Sequence, residues 1–387
     1  MILRILRPLV WVFVLFGNFA WANSSVQIVQ SFPLETDLAI PGIESTHQAW
    51  LSLIKGARTS IDIEQFYISS RTRERMSLVL DELLGAAARG VRVRVMVDSN
   101  FYSKFSNDPQ MLSKFDQVEV RILDYSKIGG GVQHSKFFVV DRAHAYMGSA
   151  NFDWLALSHI HEVGIVLRNS SEAENLQKVF EHDWNHAQVK LNEISPRRKS
   201  FFEVLSERSE TLITLLASPS QDLPLGLQST LYQLLSMIQK AESSIQVQMY
   251  QYSTRFWKGG PSRWLVLHDA IQAAARRGVR VQLLLDRASF KMDSDEITKL
   301  TATPGIEVKK IEFPQWSGGP LDYARLAHSK YMIVDQKVSW IGSENWSENY
   351  FLSSRNVGAV IHAPKAITDL DRVFNRLWSS PYAFPYK

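Results

Sequence analysis

Two copies of one side-chain pattern are the part of the sequence best suited to chemistry. The pattern is His-x-Lys-x4-Asp-x6-Gly-Ser-x-Asn, and its spacing is identical in both copies. The first copy consists of His134, Lys136, Asp141, Gly148, Ser149 and Asn151, and the second of His328, Lys330, Asp335, Gly342, Ser343 and Asn345. Because six residue types recur in equivalent places, the signal is far more specific than a single His-x-Lys.

The spacing predicts that the polar side chains of each copy project at the same end of its strands. Residues two apart on a strand point to the same face, so the histidine and the lysine of a copy project together. The Gly-Ser turn after the next strand then brings back a hydroxyl and a carboxamide. We expect the two motif aspartates, Asp141 and Asp335, to hold the sheet and its loops by hydrogen bonds rather than to touch a substrate.

Bringing the two copies together would create a site suited to a phosphodiester. The lysines and the side chains of Ser149, Asn151, Ser343 and Asn345 are predicted to bind substrate and to stabilise the charge of a pentacovalent transition state. One neutral histidine can attack phosphorus, and the other, protonated, can give its proton to the leaving oxygen. No metal or other cofactor is expected, since the ammonium groups do the electrostatic work that a metal ion does elsewhere.

The secondary-structure elements that must position these residues also occur as two copies in the sequence. Ser60-Ile61-Asp62-Ile63 recurs as Ser244-Ile245-Gln246-Val247, and the offset between the copies grows only from 184 here to 194 at the motif histidines. In each copy strands alternate with helices, which predicts an α/β fold. We therefore expect two pseudo-symmetric halves, 23–195 and 196–387, each a mixed β-sheet flanked by helices, with the active site at their interface.

The first 22 residues have the layout of a secretory signal. Arg4 and Arg7 give a positive start, an apolar run spans 9–19, and Ala20-Trp21-Ala22 supplies the small residues of a cleavage site. The apolar run is shorter than the roughly 20 residues of an ordinary membrane span. We expect cleavage, with an uncleaved membrane anchor as the alternative, and a mature protein that is exported to the periplasm or secreted.

Composition narrows the classes further. The 387 residues contain no cysteine, which excludes disulfide frameworks, thiol nucleophiles and thiolate metal sites. An exported protein without cysteine is more typical of bacteria than of an animal secretory compartment. The formal net charge is +4, and loss of the two arginines of the leader leaves +2, which argues against a wide basic groove.

The duplicated motif resembles that of the phospholipase D superfamily over nearly the whole mature chain. The segments Gly148-Ser149-Ala150-Asn151-Phe152-Asp153-Trp154 and Asn345-Trp346-Ser347-Glu348-Asn349-Tyr350-Phe351 are similar to the animal lysosomal phospholipase D-like branch. That resemblance implies a 5′ exonuclease on single-stranded nucleic acid, in a family also tied to lysosomal phospholipid synthesis. The chain departs from the branch in lacking cysteine and in keeping Asp335, where the animal proteins have a different acidic residue.

The resemblance also implies which histidine attacks. In the superfamily a carboxylate accepts a hydrogen bond from the second ring nitrogen of the nucleophile, which fixes the tautomer. Glu162 lies 28 residues after His134, whereas the residue 28 after His328 is Asn356. We therefore expect Glu162 to support His134 as the nucleophile that forms a phosphohistidine, with His328 as the general acid.

Three functions remain open at this stage. The first is the exonuclease; the second is a phospholipase D that hydrolyses or transfers the phosphatidyl group of glycerophospholipids. The third is a non-catalytic module that binds lipid or nucleic acid, which two complete motifs disfavour. The expected partner is thus a single-stranded nucleic acid or a phospholipid.

Several other residues could line a cleft, or have a spacing that resembles a functional site without forming one. Aromatic residues that follow the predicted strands could line a cleft, where they would suit stacked bases or acyl chains equally: Phe66, Tyr67, Phe101, Tyr102, Tyr250, Tyr252, Phe256 and Trp257. His182 and His186 have a zinc-compatible spacing but no third ligand, so a helix surface is the better interpretation. We interpret His159 and His161 as local structure near the mouth of the cleft, and Phe180 and Trp184 as helical core.

Overall fold

The computed structural model describes residues 25–187 and 212–386. The predicted leader, 1–22, and the predicted join between the halves at 195 and 196 lie outside the described residues. Among the residues described, no helix is long and apolar enough to cross a bilayer.

The first half contains ten strands and six helices within residues 25–187. The strands are β1 Val26–Ser31, β2 Glu44–Ser45, β3 Ser60–Gln65, β4 Ile68–Ser69, β5 Arg92–Asp98, β6 Val118–Leu123, β7 Phe137–Val140, β8 His144–Gly148, β9 Phe152–Asp153 and β10 Glu162–Leu167. The helices are α1 Thr46–Gly56, α2 Arg75–Ala88, α3 Ser99–Tyr102, α4 Asn107–Leu112, α5 Trp154–Ser158 and α6 Ser171–Trp184.

The second half repeats this order within residues 212–386. The strands are β11 Ile213–Ser218, β12 Gln228–Ser229, β13 Ser244–Met249, β14 Arg280–Asp286, β15 Ile306–Ile311, β16 Tyr331–Val334, β17 Val338–Gly342, β18 Asn356–Ile361 and β19 Ala383–Pro385. The helices are α7 Thr230–Lys240, α8 Val266–Arg276, α9 Arg287–Thr301, α10 Glu348–Leu352 and α11 Pro364–Trp378.

Each half is built on one mixed sheet, and the two sheets have equivalent strand orders. The order is β2-β1-β10-β8-β7-β3-β5-β6 in the first and β12-β11-β18-β17-β16-β13-β14-β15-β19 in the second. Strands β3, β5 and β6 are parallel, as a helical crossover requires, while β7, β8 and β10 pair antiparallel. The predicted α/β class with two mixed sheets is confirmed. Within residues 25–187, the edge strand β19 has no counterpart.

The sheets are covered on both faces, which explains their nearly continuous burial. All six residues of β3 and of β10 are buried, as expected of strands between two layers. In the first half, α1 and α2 pack on the outer face, where Trp50 and Val79 share an apolar core with β3 and β5. The second half has its own equivalent core under α7 and α8.

A third apolar core joins the halves. It contains residues of α6 and β8 from the first half and of α11 and β17 from the second, including Phe180, Met147, Phe374 and Ile341, all fully buried. Phe180 and Trp184 are therefore core residues, as predicted. Because this core holds the inner faces of both sheets together, the ends of their strands meet along the interface.

Candidate active site

Two short backbone bridges between the halves place the motif histidines. Gln133 pairs with Arg355, and His161 pairs with Ala327, each as an isolated parallel bridge. The amide of His134 donates to the carbonyl of Arg355 at 2.8 Å, and the amide of His328 donates to the carbonyl of His161 at 2.9 Å. Each motif histidine is thereby fixed at the start of a strand, β18 or β10, that belongs to the other half.

This crossing corrects the predicted partner of Glu162. Its carboxylate lies 2.9 and 3.0 Å from Nδ1 of His328, not beside His134. Nδ1 of His134 instead lies 3.0 Å from Oδ1 of Asn356. The prediction paired residues within one half, whereas the bridges set the first residue of β10 and of β18 against the opposite histidine. Glu162 and Asn356 have the equivalent roles that their spacing indicated, but for exchanged histidines.

The paired histidines are buried and neutral at neutral pH. Burial, Lys136 and Lys330 together lower the pKa of His134 well below its usual range. Burial lowers the pKa of His328 to about 4, although Glu162 opposes the shift. With each Nδ1 occupied, Nε2 of each ring is left for the cavity that both side chains line. One ring can therefore serve as a nucleophile, and the other must gain a proton before it can act as an acid.

Glu162 places a negative charge beside His328. Burial would raise the pKa of its carboxyl, but attraction to His328 and Lys330 outweighs that effect and lowers the pKa below its usual value. The anion can thus hold Nδ1–H of His328 and stabilise positive charge that develops on this ring. Asn356 offers His134 a neutral oxygen instead, so the two histidines differ electrostatically.

The two lysines supply the positive charge. Lys136 and Lys330 are fully buried, and each Nζ donates to the carbonyl of its own motif histidine, at 2.7 and 2.5 Å. Burial lowers the pKa of Lys330 to about 7, and burial with repulsion from Lys330 lowers the pKa of Lys136 well below its usual range. An anion bound between them would raise both pKa values again, so the pair is arranged to favour a negatively charged substrate.

Asn151 and Asn345 line the same cavity as the histidines, as predicted for substrate-binding side chains. Nδ2 of Asn151 donates to the hydroxyl of Tyr67 at 3.4 Å, and Nδ2 of Asn345 donates to Oε1 of Gln251 at 3.2 Å. Each carboxamide NH2 group has a second N–H. These N–H groups are available to non-bridging oxygens of a bound phosphodiester.

The two motif serines lie off the cavity, which corrects their predicted role. Both are fully buried. Oγ of Ser149 both donates to the carbonyl and accepts from the amide of Val163, at 3.1 Å in each case. Oγ of Ser343 donates to Oδ1 of Asn356 at 3.0 Å and accepts from the amide of Val357. Their hydroxyls are thus used in fixing the starts of β10 and β18, and through them the histidine partners.

The motif aspartates are remote from the histidines, at the opposite ends of β7 and β16. Asp141 accepts from the amides of Arg58, Thr59 and Ser60 at 2.7 to 3.2 Å. Asp335 accepts the equivalent set from the second half. These are the sheet-holding contacts that the sequence predicted for both residues, and neither residue lines the cavity.

An Asp335→Ala variant is expected to lower the free energy of unfolding by about 1–3 kcal/mol at neutral pH, because three backbone N–H groups lose their acceptor. These hydrogen bonds lower the pKa of Asp335 to about 2, against the pull of burial in the other direction. The stabilisation should therefore be present above the unfolded pKa of about 4 and be lost as the pH falls towards 2. Urea unfolding at several pH values measures it. Asp116→Ala, at an exposed position, is the control, and equal stability of the two variants at neutral pH would contradict the prediction.

Two further carboxylates support the site and were not singled out by the motif. Asp98 accepts from the amide of Gln133, and Asp286 from the amide of Ala327, each at 2.8 Å. Both also cap the helix that follows their strand. Each therefore fixes the residue directly before a motif histidine. The signal was present in the sequence, since Asp98 and Asp286 end the repeated strands β5 and β14.

The histidines open into a cavity of about 570 Å³, which we call the first cavity. Of the predicted aromatic residues, Phe66, Tyr67, Phe101 and Tyr250 line it; Tyr252 is buried in the second core instead. Further lining residues were not predicted: Trp154 and Tyr350 belong to the short helices α5 and α10 that follow the motifs, and Lys104, Phe105 and Tyr323 lie between the described helices and strands. Tyr67 stacks on Phe105, with 4.4 Å between ring centroids. The wall is thus mainly aromatic.

A second cavity, of about 490 Å³, adjoins the first and shares His134, Phe66, Asn100, Phe101 and Tyr350 with it. Its other lining residues are Gly130, Gly131, Val132, Phe256, Trp257, Lys258, Glu348, Asn349, Ser353 and Ser354. Gly130 and Gly131, which precede the first motif histidine in the chain, therefore border the cleft. His328 lines the first cavity but not the second.

One group of possible metal ligands occurs among the described residues, formed by His182, Asp183 and Asp222. Both carboxylates of the group already pair with Arg355, at 2.8 and 2.6 Å. Arg355 is fully buried and precedes Asn356 in the chain. The group therefore anchors the end of the loop that carries the partner of His134. His186 is exposed, and its Nδ1 lies 2.7 Å from the carbonyl oxygen of His182.

His159 and His161 have the structural surroundings that were expected of them. The ring of His161 is buried and contacts the side chains of Gln248 and Ser329, at 3.0 and 3.1 Å. His159 packs between Trp154 and Trp316. Both residues belong to the loop before Glu162, so they fix its path at the interface.

Several known proteins are similar to this chain over most of its length. The profile of the family described as "Cardiolipin synthase, PLD-like domain" matches residues 50–184 and 234–378. Human 5'-3' exonuclease PLD3 is 31% identical over 391 residues, which are 92% of this chain and 79% of PLD3. Human 5'-3' exonuclease PLD4 is 32% identical over 399 residues, which are 92% of this chain and 78% of PLD4.

Phospholipases are also among the similar proteins. Phospholipase D Z of Dictyostelium discoideum is 29% identical over 388 residues, covering 94% of this chain and 91% of that protein. Among solved structures, phosphatidylserine synthase from Haemophilus influenzae matches with a TM-score of 0.65 at 12% identity, over 88% of this chain and 85% of that one. The structural match concerns the fold of two α/β halves.

Proposed function

Because this chain belongs to the phospholipase D superfamily, in its PLD3-like branch, and is therefore a phosphodiesterase, we propose that it removes nucleotides from the 5′ end of single-stranded nucleic acid through a phosphohistidine intermediate. The observation that carries the chemistry is the exchanged pair of contacts, Glu162 with His328 and Asn356 with His134. It gives two imidazoles on one cavity with different electrostatic partners.

In this proposal His328 is the nucleophile, which reverses the assignment made from spacing. Nδ1–H of His328 donates to Glu162, and Nε2 attacks phosphorus. The P–N bond forms as the P–O bond to the leaving group breaks. The ring then carries positive charge, which the carboxylate of Glu162 stabilises and the amide oxygen of Asn356 would not.

His134 acts on the leaving oxygen. Its Nε2–H transfers a proton to that oxygen as the P–O bond breaks, which leaves the ring neutral. In the second step the same nitrogen takes a proton from water, the water oxygen attacks phosphorus, and the P–N bond breaks. Both steps balance, and His134 returns to its protonated form. Lys136, Lys330 and the two asparagines stabilise the non-bridging oxygens in both transition states.

Several features support nucleic acid as the substrate. The first cavity has an aromatic wall with Lys104 beside it, and bases stack on such rings. Its volume suits a single nucleoside rather than a long strand, in keeping with attack at a chain end. The relatives PLD3 and PLD4, whose names describe 5'-3' exonucleases, support the same polarity.

A phospholipase D is the second candidate, since the lining of the first cavity is largely apolar and a similar Dictyostelium protein is called phospholipase D Z. Wild-type protein is offered a 5′-hydroxyl single-stranded DNA decamer in one reaction and phosphatidylcholine vesicles in another, both with excess chelator. We expect 3′-mononucleotides from the DNA and no choline from the vesicles. Release of choline alone would replace the exonuclease with the phospholipase, and loss of all activity in chelator would contradict the metal-independent mechanism.

A further inference from the structure

The two cavities reach different histidines. His134 lies on both, whereas His328 lies only on the first. Gly130 and Gly131 of the glycine loop 129–131 line the second cavity, and so does the segment Phe256–Lys258. The cleft is thus divided at His134 into a part that contacts the nucleophile of the proposed mechanism and a part that contacts only the general acid.

The geometry of in-line displacement indicates which part of the substrate each part of the cleft binds. The attacking nitrogen and the departing oxygen lie on opposite sides of phosphorus, so a group that His328 displaces from phosphorus departs on the side of His134. Substituents retained on phosphorus stay with the first cavity, where His328 and both asparagines lie. The leaving group must pass the ring of His134 and enter the space beyond it.

We propose that the second cavity binds the leaving strand of the substrate, that is, the nucleotide whose 5′ oxygen is released from phosphorus. This inference rests on the proposed function, because it takes the substrate to be a nucleic acid. The first cavity then holds the terminal nucleoside, which stays attached to phosphorus through its 3′ oxygen. Attack of Nε2 of His328 on phosphorus forms the P–N bond as the bond from phosphorus to the 5′ oxygen breaks, and the proton of His134 goes to that oxygen.

The second cavity is built for a stacked base followed by a phosphate. The side chain of Trp257 is 73% exposed at its edge, although it is a large aromatic group. Exposed tryptophan next to a catalytic cleft provides a flat surface on which any base can stack. Lys258 is the next residue in the chain and can bind the next phosphate. Glu348 also lines the second cavity and keeps the local net charge low. A low local charge agrees with contact to one or two phosphates rather than to many.

The floor of the second cavity is fixed by close packing. A Cβ atom at Gly131 would lie 2.4 Å from Oγ of Ser354 and 2.7 Å from the carbonyl oxygen of Ser353. The loop before His134 therefore lies directly against the segment before Asn356, which supports His134. The occupant of the second cavity and the general acid are held by the same short segments.

The experiment compares two substrates that differ only in what leaves. A 5′-hydroxyl thymidine decamer has a leaving strand, whereas thymidine 3′-(p-nitrophenyl phosphate) has the same retained nucleoside without one. We expect Trp257→Ala to lower the ratio of kcat/KM for the decamer to kcat/KM for the ester about tenfold, an ordinary effect for one lost base stack. Trp257→Phe should restore most of the ratio. Tyr232→Ala, at an equally exposed aromatic side chain on α7 (73%), is the matched control and should leave the ratio unchanged.

Each outcome has a distinct meaning. An unchanged ratio in Trp257→Ala, with wild-type protein active on both substrates, would overturn this inference and leave the exonuclease standing. An equal loss on both substrates would also overturn it, because the tryptophan would then contact the retained nucleoside. Absence of wild-type activity on both substrates, with choline release from vesicles, would instead remove the proposed function.

Discussion

A His328→Ala variant is expected to form no covalent adduct and to lose turnover by a factor on the order of 10⁴ to 10⁶, as removal of a nucleophile generally does. A His134→Ala variant should behave differently with thymidine 3′-(p-nitrophenyl phosphate). Because p-nitrophenolate leaves as an anion, the first step does not need the proton of His134. The second step does need this residue as a base, so one equivalent of p-nitrophenolate should appear in a burst and turnover should then nearly stop.

The adduct that accumulates in His134→Ala identifies the nucleophile. Rapid quenching at alkaline pH preserves a phosphoramidate, and mass spectrometry of peptides should locate thymidine phosphate on His328. His186→Ala, at an exposed histidine two residues after the end of α6, is the control for unspecific labelling. A burst in His328→Ala, or an adduct on His134 in the wild type, would restore the assignment that spacing alone suggested.

The second large effect concerns pH. On the decamer, kcat/KM should fall about tenfold for each pH unit above the pKa of His134, since only the protonated ring can act as the acid. Burial and the two motif lysines lower that pKa well below its usual range, so the fall should begin at a lower pH than the one at which an ordinary histidine loses its proton. On the p-nitrophenyl ester this limb should be missing, because its leaving group needs no proton.

The other changes of kcat/KM with pH should be the same for both substrates. Burial lowers the pKa of Lys330 to about 7, so both rates should fall above that pH as its positive charge is lost. Burial lowers the pKa of His328 to about 4, so both should fall below that pH as the nucleophile becomes protonated. Circular dichroism over the same range controls for unfolding. Coincident alkaline limbs for the decamer and the ester would contradict the assignment of His134 as the acid.

Much of the scaffold could be predicted because its elements carry local signals. The β-rich pattern predicts a strand at Val118–Leu123, and the structure has it with these bounds. The helical pattern predicts a helix at 46–57, and the observed helix ends one residue earlier, at Gly56. Strands β1 and β11 were not predicted. Each has six residues and pairs with a strand more than a hundred residues later in the chain, β10 or β18. Such a segment is recognised as a strand only when its partner is known.

The composition of the site was predictable from the sequence, whereas its pairing was not. Spacing identified the histidines, the lysines, Glu162 and the position of Asn356. It gave no information on how two similar sheets dock, and docking decides which histidine each β10 or β18 residue meets. The serines were misplaced for a related reason. A hydroxyl at a turn can face the cavity or the next strand. Here it faces the next strand, where Oγ accepts a hydrogen bond from the amide of Val163 or Val357.

The crossing at Gln133–Arg355 and His161–Ala327 has a consequence for recombination between relatives. A chimera that joins the first half of one relative to the second half of another separates each histidine from the residue that evolved beside it. The residues that must come from the same parent are therefore not those of one half: residue 356 must be kept with His134, and residue 162 with His328. If the parents differ in these pairs, the hybrids would fold, but Nδ1 of the general acid or of the nucleophile would have the wrong hydrogen-bond partner.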